Sequence, residues 1–313
     1  AAMEYVAVLL LALAIDLAVG EPPASIHPVV WMGRWIGLWS QDAGRGSRGG
    51  QLLKGGLLVG SGIAIFVGLA LALVAALQQW SPLGNVLLGA LLLKSTFSLR
   101  ELGEAAFRVV GALAGGEIEQ ARWLLRSLVS RDPWDLDSHE IVAATVESVA
   151  ENANDSLVAP LFYFVLLGIP GAVAYRFINT CDAMVGYHGK FEYLGKIAAR
   201  LDDLANWAPA RLTGLLLVAA VAIARRDAAA AWRTMWRDHA RTASPNAGWP
   251  MSAMAGALGV QLTKRGEYAL GVARRPLERA RVEEAVQLLQ VVAHLAVVLS
   301  VLALVATRVV GWP

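Results

Sequence analysis

Leu57-Leu-Val-Gly-Ser-Gly-Ile-Ala-Ile-Phe-Val-Gly-Leu-Ala-Leu-Ala-Leu-Val-Ala-Ala-Leu77 contains no charged side chain. The hydrocarbon core of a bilayer asks for about 20 predominantly apolar helical residues, and this stretch supplies them. Leu288 to Val310 does the same, with Arg308 near its end, where a long stem carries the guanidinium out to the headgroups. Composition agrees. Of 313 residues, 57% are hydrophobic and only 17% charged, against about 25% charged in a typical soluble domain. Mean hydropathy is +0.52. These values exclude a disordered or collagenous chain and argue against a soluble enzyme. A net charge of +2 gives no global field for nucleic acid. The single Cys181 can form neither an internal disulfide nor a zinc site alone.

Four further segments are less clear. Tyr5 to Val19 is short and carries Asp16; lacking a basic start, it reads as a first span and not a secretory signal. Leu83 to Leu93 spans only if extended through Ser98, which requires burying or snorkelling Lys94. Leu157 to Ala174 is interrupted by Gly168-Ile-Pro170-Gly171, and Leu212 to Ala224 is bounded by Arg211 and Arg225. Each of these two reads either as a full span or as a broken or re-entrant helix. Irregular backbone at membrane depth survives only where protein or water satisfies it. The Gly-Ile-Pro-Gly break therefore points to a packed interior or a cavity, with a surface helix–turn–helix as the alternative. The expected fold is all-α: a polytopic integral membrane protein with about four to six membrane-embedded helices, no sheet, and one membrane-embedded domain over 1–313. Polar helical connections near 16–35, 127–160, 176–211 and 240–271 form the expected active site.

Lys and Arg distribution sets orientation. It places the N-terminus outside and the connections 34–54, 94–155 and 225–285 in the cytoplasm. Trp31, Trp35, Trp39 and Trp80 fall near expected interfaces. Gly56, Gly60, Ala64, Gly68, Ala72 and Ala76 recur every fourth residue, a ladder that lets a second helix approach closely, from this chain or another copy.

Chemistry should sit where polar residues concentrate. Glu147, Glu151 and Asp155 fall within roughly 80° of one helix face at about 100° per residue, with no Lys or Arg three or four residues away. Unrelieved like charges call for a cation, and oxygen donors at this spacing suit Mg²⁺ bound jointly with phosphates. Asn152 and Asn154 join the cluster; a solvated acidic face is the alternative. From Arg176 to Arg211 come Arg176, Asn179, Asp182, Tyr187, Lys190, Arg200, Asp202 and Asp203. Arginines for phosphate and carboxylates for Mg²⁺ suit a phosphorylated ligand with its metal, the alternative being surface ion pairs. Ser244-Pro-Asn246-Ala-Gly248-Trp249-Pro250 reads as an ordered turn from which Asn246 could reach a ligand. His27, in a loop stiffened by Pro22, Pro23 and Pro28, is either a ligand contact or a satisfied structural residue. Phosphate-loop, dinucleotide, zinc-protease and nucleophile-elbow motifs are all absent.

Taken together, the chain resembles the adenosylcobinamide-phosphate synthase family, the integral membrane cobinamide synthases of cobalamin biosynthesis. The likeness runs from about Asp16 to Gly271. It rests on Asp16…Gly20-Glu21-Pro22…His27-Pro28-Val29…Gly33, Ser130-Arg131-Asp132, Glu147…Glu151-Asn152…Asp155…Ala159-Pro160-Leu161-Phe162-Tyr163, Tyr175-Arg176…Asn179-Thr180…Asp182…Met184-Val185-Gly186-Tyr187, Ala199-Arg200-Leu201-Asp202-Asp203 and Ser244-Pro245-Asn246…Gly248…Pro250. Two positions depart from the family pattern: Glu21 stands where Asp is usual, and Pro133 where Thr is usual.

The resemblance implies ATP-dependent amide ligation with Mg²⁺, joining adenosylcobyric acid to (R)-1-aminopropan-2-yl phosphate or a related amino alcohol. It implies Glu147, Glu151, Asn152 and Asp202 as catalytic, and Glu151, Asp155, Asp182 and Asp203 as metal ligands. His27, Arg131, Arg176, Asn179, Tyr187, Lys190, Arg200 and Asn246 would bind substrate or phosphate. It further implies a multi-pass protein of a prokaryotic cytoplasmic membrane, with no nucleic-acid partner, self-associating or associating with other late cobalamin-pathway membrane enzymes. A membrane prenyltransferase with a Mg-diphosphate site and a small-molecule transporter stay open as alternatives.

Overall fold

A computed structural model describes residues 2–309. In chain order the elements are α1 (Ala2–Ala18), α2 (Pro28–Ser40), α3 (Arg48–Trp80), α4 (Pro82–Lys94), α5 (Arg100–Ala114), α6 (Ile118–Leu125) and α7 (Ser138–Ala153). A π turn over Asn154–Val158 precedes α8 (Ala159–Val185), α9 (Lys196–Ala205), α10 (Trp207–Ile223), α11 (Ala228–Asp238) and α12 (Gly248–Leu258). A hairpin, β1 (Gln261–Lys264) and β2 (Tyr268–Gly271), and the long α13 (Arg279–Val309) complete the chain. Trp80, Arg308 and Val310, which figure in the expected spans, lie outside the described side chains or residues.

The chain is an all-α polytopic membrane protein. Among the described residues, three helices are long and apolar enough to cross a bilayer: Arg48–Gln79, the helical run Ser138–Val185 and Arg279–Ala306. The broken pair α9–α10 makes a fourth candidate, so the count sits at the low end of expectation. α1 and α4 are apolar but have 17 and 13 residues. The expectation of no sheet is corrected by the hairpin. Leu262 pairs with Leu270 in antiparallel register, and both are fully buried. Gly266 takes φ +74° in the intervening turn, a conformation that suits glycine.

Local chemistry sets the boundaries. Ser47 accepts the Gly50 N–H to start α3, and Ser81 closes α3 while accepting the Gly84 N–H that opens α4. Asp137 and Glu140 form a reciprocal capping box on α7. The expected break in α8 is a kink. Gly168 adopts φ 67°, ψ −158° two residues before Pro170, which has no N–H for the ladder.

The chain forms two compact units, one of Leu99–Val158 with Asn206–Val298, the other of the remaining described residues. In the latter, α1 packs on α4, and α3 on α8. A Cβ on Gly62 would lie 1.9 Å from the Phe177 ring, so only glycine admits α8 there. The small-residue ladder is not that contact: Gly60, Ala64, Gly68, Ala72 and Ala76 are exposed. The other unit centres on α12, buried along its whole length. Gly256 lets α11 close in, since its Cβ would sit 2.7 Å from the Ala230 carbonyl.

Candidate functional site

Each unit carries its own polar cluster. In the unit built on α12, Arg131 reaches α7 from the loop after α6, and its Nη2 donates to Glu147 Oε2 at 3.0 Å. Glu147 is 6% exposed, and its Oε1 has no hydrogen-bond partner among the described residues. The Tyr268 hydroxyl approaches the same carboxylate from β2, and the Lys264 charge faces it from β1. Burial, then the charges of Glu147 and Glu151, push the Tyr268 phenol up from its ordinary value, so Tyr268 stays protonated as a donor. The sequence spacing showed no local partner for the acidic face. The fold supplies one from 16 residues upstream.

Glu151 lies one turn beyond Glu147 and is exposed; Asp155 is half-buried. Asp155 falls in the π turn, where the wider helical step departs from 100° per residue. The single face expected for Glu147, Glu151 and Asp155 is therefore out of phase at its last member. Asn154 holds the turn. Its amide donates to Asp155 Oδ1 and to Asn206 Oδ1, both at 2.8 Å, and its carbonyl accepts from the Thr213 hydroxyl at 3.1 Å. Asn152 is bonded within the helix: its amide donates to the Ser148 carbonyl at 3.0 Å and its oxygen accepts from Ser156 at 3.0 Å. Asn246 is buried just before α12, with its backbone N–H donating to Ser244 Oγ at 3.2 Å.

In the other unit, α8 and α9 face one another. Asn179 donates to Asp202 Oδ1 at 3.3 Å, and the Tyr163 hydroxyl donates to the Ala205 carbonyl at 2.9 Å. Tyr163 stacks on Tyr175 with ring centres 5.3 Å apart. Arg176, one turn before Thr180, is half-buried, and its carbonyl accepts the Thr180 hydroxyl. Asp182 lies against the end of α8, where a Cβ on Gly186 would come 2.0 Å from Asp182 Oδ1. Asp203 sits 3.9 Å from Arg200, which is 78% exposed. Tyr187 and Lys190 are exposed in the loop after α8.

This same unit contains a buried charge cluster. Lys94, 2% exposed, pairs with the fully buried Asp16 at 3.0 Å and donates to Glu21 Oε1 at 2.8 Å. Neither the snorkelling of Lys94 nor a bare Asp16 is needed. His27 Nε2 bonds Glu21 Oε2 at 2.9 Å, and Nδ1 accepts the Val29 N–H at 3.1 Å to cap α2. Both ring nitrogens are thus committed, and Nε2 carries the proton. Burial pushes the Glu21 carboxyl up, but bonds from His27, Lys94 and Ser98 and the Lys94 charge outweigh it and bring it down to about 2.

Among the described residues, no three His, Cys, Asp or Glu side chains gather into a ready metal cage. The expected metal carboxylates fall two to each unit: Glu151 and Asp155 in one, Asp182 and Asp203 in the other. Few, hard oxygen donors fit Mg²⁺, which takes one or two carboxylates and fills its shell with water and phosphate oxygens. Sequence reading missed Tyr268 and Lys264. The signal was there in Gln261–Gly271, two short runs about a central glycine.

The CobD/Cbib protein family model matches residues 9–297. The chain belongs to the CobD/CbiB family. It is 46% identical over 275 residues to "Cobalamin biosynthesis protein CobD" of Dehalococcoides mccartyi, covering 88% of this chain and 89% of that protein. It is 42% identical to "Probable cobalamin biosynthesis protein CobD" of Methanothermobacter thermautotrophicus, covering 91% and 93%. The Klebsiella pneumoniae "Cobalamin biosynthesis protein CobD" is 36% identical, with 81% of each chain covered. No solved structure gives a significant match.

Proposed function

We propose that this CobD/CbiB-family membrane protein acts in cobalamin biosynthesis as an amide ligase, joining adenosylcobyric acid to an amino alcohol phosphate such as (R)-1-aminopropan-2-yl phosphate at the expense of ATP. The observation that carries the reading is Glu147, a buried carboxylate held at Oε2 by Arg131, with Oε1 left without a partner.

A corrinoid propionate does not condense with an amine unaided. Its carboxylate oxygen attacks the γ-phosphorus of ATP, ADP leaves, and an acyl phosphate forms. The amine nitrogen then attacks the acyl carbon, the C–O bond to phosphate breaks, and the nitrogen sheds one proton. Glu147 Oε1 takes that proton as general base. Arg131 fixes the carboxylate so that a single oxygen faces the reaction, with the protonated Tyr268 hydroxyl close by. Glu151 and Asp155, or Asp182 and Asp203, would hold Mg²⁺, which when bound offsets charge on the transferring phosphoryl group. Asp202, oriented by Asn179, supports the α8–α9 carboxylates, and Arg176 and Arg200 offer phosphate contacts. The proposed setting is the cytoplasmic membrane, with these connections on the side where ATP is.

Purified full-length protein in detergent, given adenosylcobyric acid, the amino alcohol phosphate, ATP and Mg²⁺, should yield adenosylcobinamide phosphate by mass spectrometry with one ADP per product. Diphosphate release would indicate prenyl-type transfer, and absence of any covalent product would indicate transport; either result overturns the ligase reading.

A further inference from the structure

A basic pocket lies away from every residue assigned above. It is open to the outside, is lined by α11, α12, the segment after β2 and the start of α13, and consists of two adjoining pockets of about 210 and 420 Å³ that share Ala230, Gly256, Gly259 and Arg274. Its floor is built from small residues. Gly256 carries no side chain because α11 occupies that space, and Gly259 ends α12 at φ +65°. The Gly259 carbonyl accepts the backbone N–H groups of Arg274 and Arg275, at 3.0 and 2.9 Å. That double bond pins two consecutive arginines over the floor.

Two more arginines come from α11. Arg233 and Arg237 are four residues apart and line the smaller pocket together with Arg274. Arg226 and Arg275 line the larger one. Three carboxylates lie in or beside these pockets, and two are engaged. Asp238 is bonded by Arg237 at 2.6 and 2.8 Å. Glu284 accepts from Arg226 at 2.7 Å, from Arg275 at 3.0 Å and from Arg281 at 2.6 Å. The third, Asp227, caps α11 through the Ala230 N–H. Positive charge remains in excess, and Arg233 and Arg274 form no ion pair among the described residues. Several guanidinium forks around a small-residue floor match a tetrahedral oxyanion, which arginine binds in bidentate fashion.

We propose that this cavity binds the phosphate group of a ligand, as a phosphate ester or diphosphate. Arg233 and Arg274 grip it, and Arg237 adds positive charge beside them while it holds Asp238. The assignment is independent of the ligase reading and of Glu147. The phosphate can belong to a soluble ligand or to an anionic lipid headgroup.

The test uses the full chain in phosphatidylcholine nanodiscs, titrated calorimetrically with pyrophosphate at fixed ionic strength. Saturable binding is expected, weakened at least tenfold in Arg233→Gln and in Arg274→Gln and abolished in the double variant. Arg233→Lys and Arg274→Lys keep the charge but lose the fork, and should bind with intermediate affinity. They also decide the matter if a Gln variant proves unstable without ligand. A second arm uses nanodiscs containing phosphatidylglycerol. Lipid retained by the wild type in native mass spectrometry, lost from the double variant and competing with pyrophosphate, identifies the headgroup as the source. Undiminished pyrophosphate binding in those discs identifies a soluble ligand. Equal pyrophosphate affinity in wild type and double variant overturns the proposal. So does the absence of both pyrophosphate binding and variant-dependent lipid retention.

Discussion

Two carboxylates in this protein, the half-buried Glu21 and the buried Glu147, are each held by a cation, yet they are left in different states. Glu21 is bonded on both oxygens, by Lys94 at 2.8 Å and His27 at 2.9 Å, and Lys94 also neutralises Asp16. Glu147 has Arg131 on one oxygen and no hydrogen-bond partner on the other. With a donor on each oxygen, Glu21 is committed to holding its cluster together and acts on stability. An incompletely paired carboxylate keeps acceptor capacity at a cost of about 1–3 kcal/mol per unsatisfied group, which is tolerable where chemistry uses it. The contrast separates two carboxylates that look alike in sequence.

The sharpest way to break the contrast is to remove the cation from the paired cluster. Lys94→Met removes the cation that Asp16 and Glu21 share, leaving Glu21 its bond from His27, and should destabilise the protein by about 3–5 kcal/mol, read as a large fall in melting temperature. Adding Asp16→Asn should recover part of that loss. Melting unchanged by Lys94→Met would remove the stabilising role.

At the other cluster the loss should appear in rate. Glu147→Gln keeps shape and removes the base, so turnover should drop by about 10²–10⁴-fold while the melting temperature stays near the wild-type value. A collapse of stability with it would place Glu147 beside Glu21 as a structural residue.

Next come Glu151, which is exposed, and Asp155, which is half-buried. Glu151→Gln and Asp155→Asn should each lower turnover by about 10²-fold if a Mg²⁺ contact worth several kcal/mol is lost, with the fold intact. Added Mg²⁺ should recover part of the activity of the milder variant. Normal turnover in both would move the metal to the α8–α9 carboxylates.

A pH titration of stability probes Glu21 directly. Its folded pKa, about 2, lies below the ordinary value of 4.5. The stabilisation it gives is therefore present above the ordinary value and lost as pH falls through the folded one. Wild-type melting temperature should decline between these two pH values, and Glu21→Gln should flatten that part of the curve. Last, Arg200→Ala should shift stability by less than about 0.5 kcal/mol, since its pair with Asp203 is long and exposed. A drop in turnover alone would give Arg200 a phosphate role.

Much of the fold was legible because bilayer physics writes it in long apolar runs. α3 and α13 stand out by length alone, and Gly168 and Pro170 mark the kink. Pairings across sequence were not legible. Asp16 and Lys94 each look costly, and nothing in the spacing says that each is the other's partner. Arg131 reaches Glu147 by a loop, and the π turn at Asn154 shifts a phase that the helical wheel assumes constant. The hairpin went unseen because each strand has only four residues, too few for a two-residue period to stand out. The ladder on α3 was real as a pattern, but the intrachain approach uses Gly62, whose only signal is the ring of Phe177 opposite.

The Asp16–Lys94 pair has a consequence for how the chain is made. The carboxylate leaves the ribosome roughly 80 residues before its cation, and at about 5–20 residues per second it waits on the order of ten seconds. During that interval α1 carries an uncompensated charge into an apolar setting, with α4 not yet synthesised. The first helix therefore cannot settle where it finally packs until the fourth arrives. Any insertion that moved Lys94 later in the chain would prolong that wait.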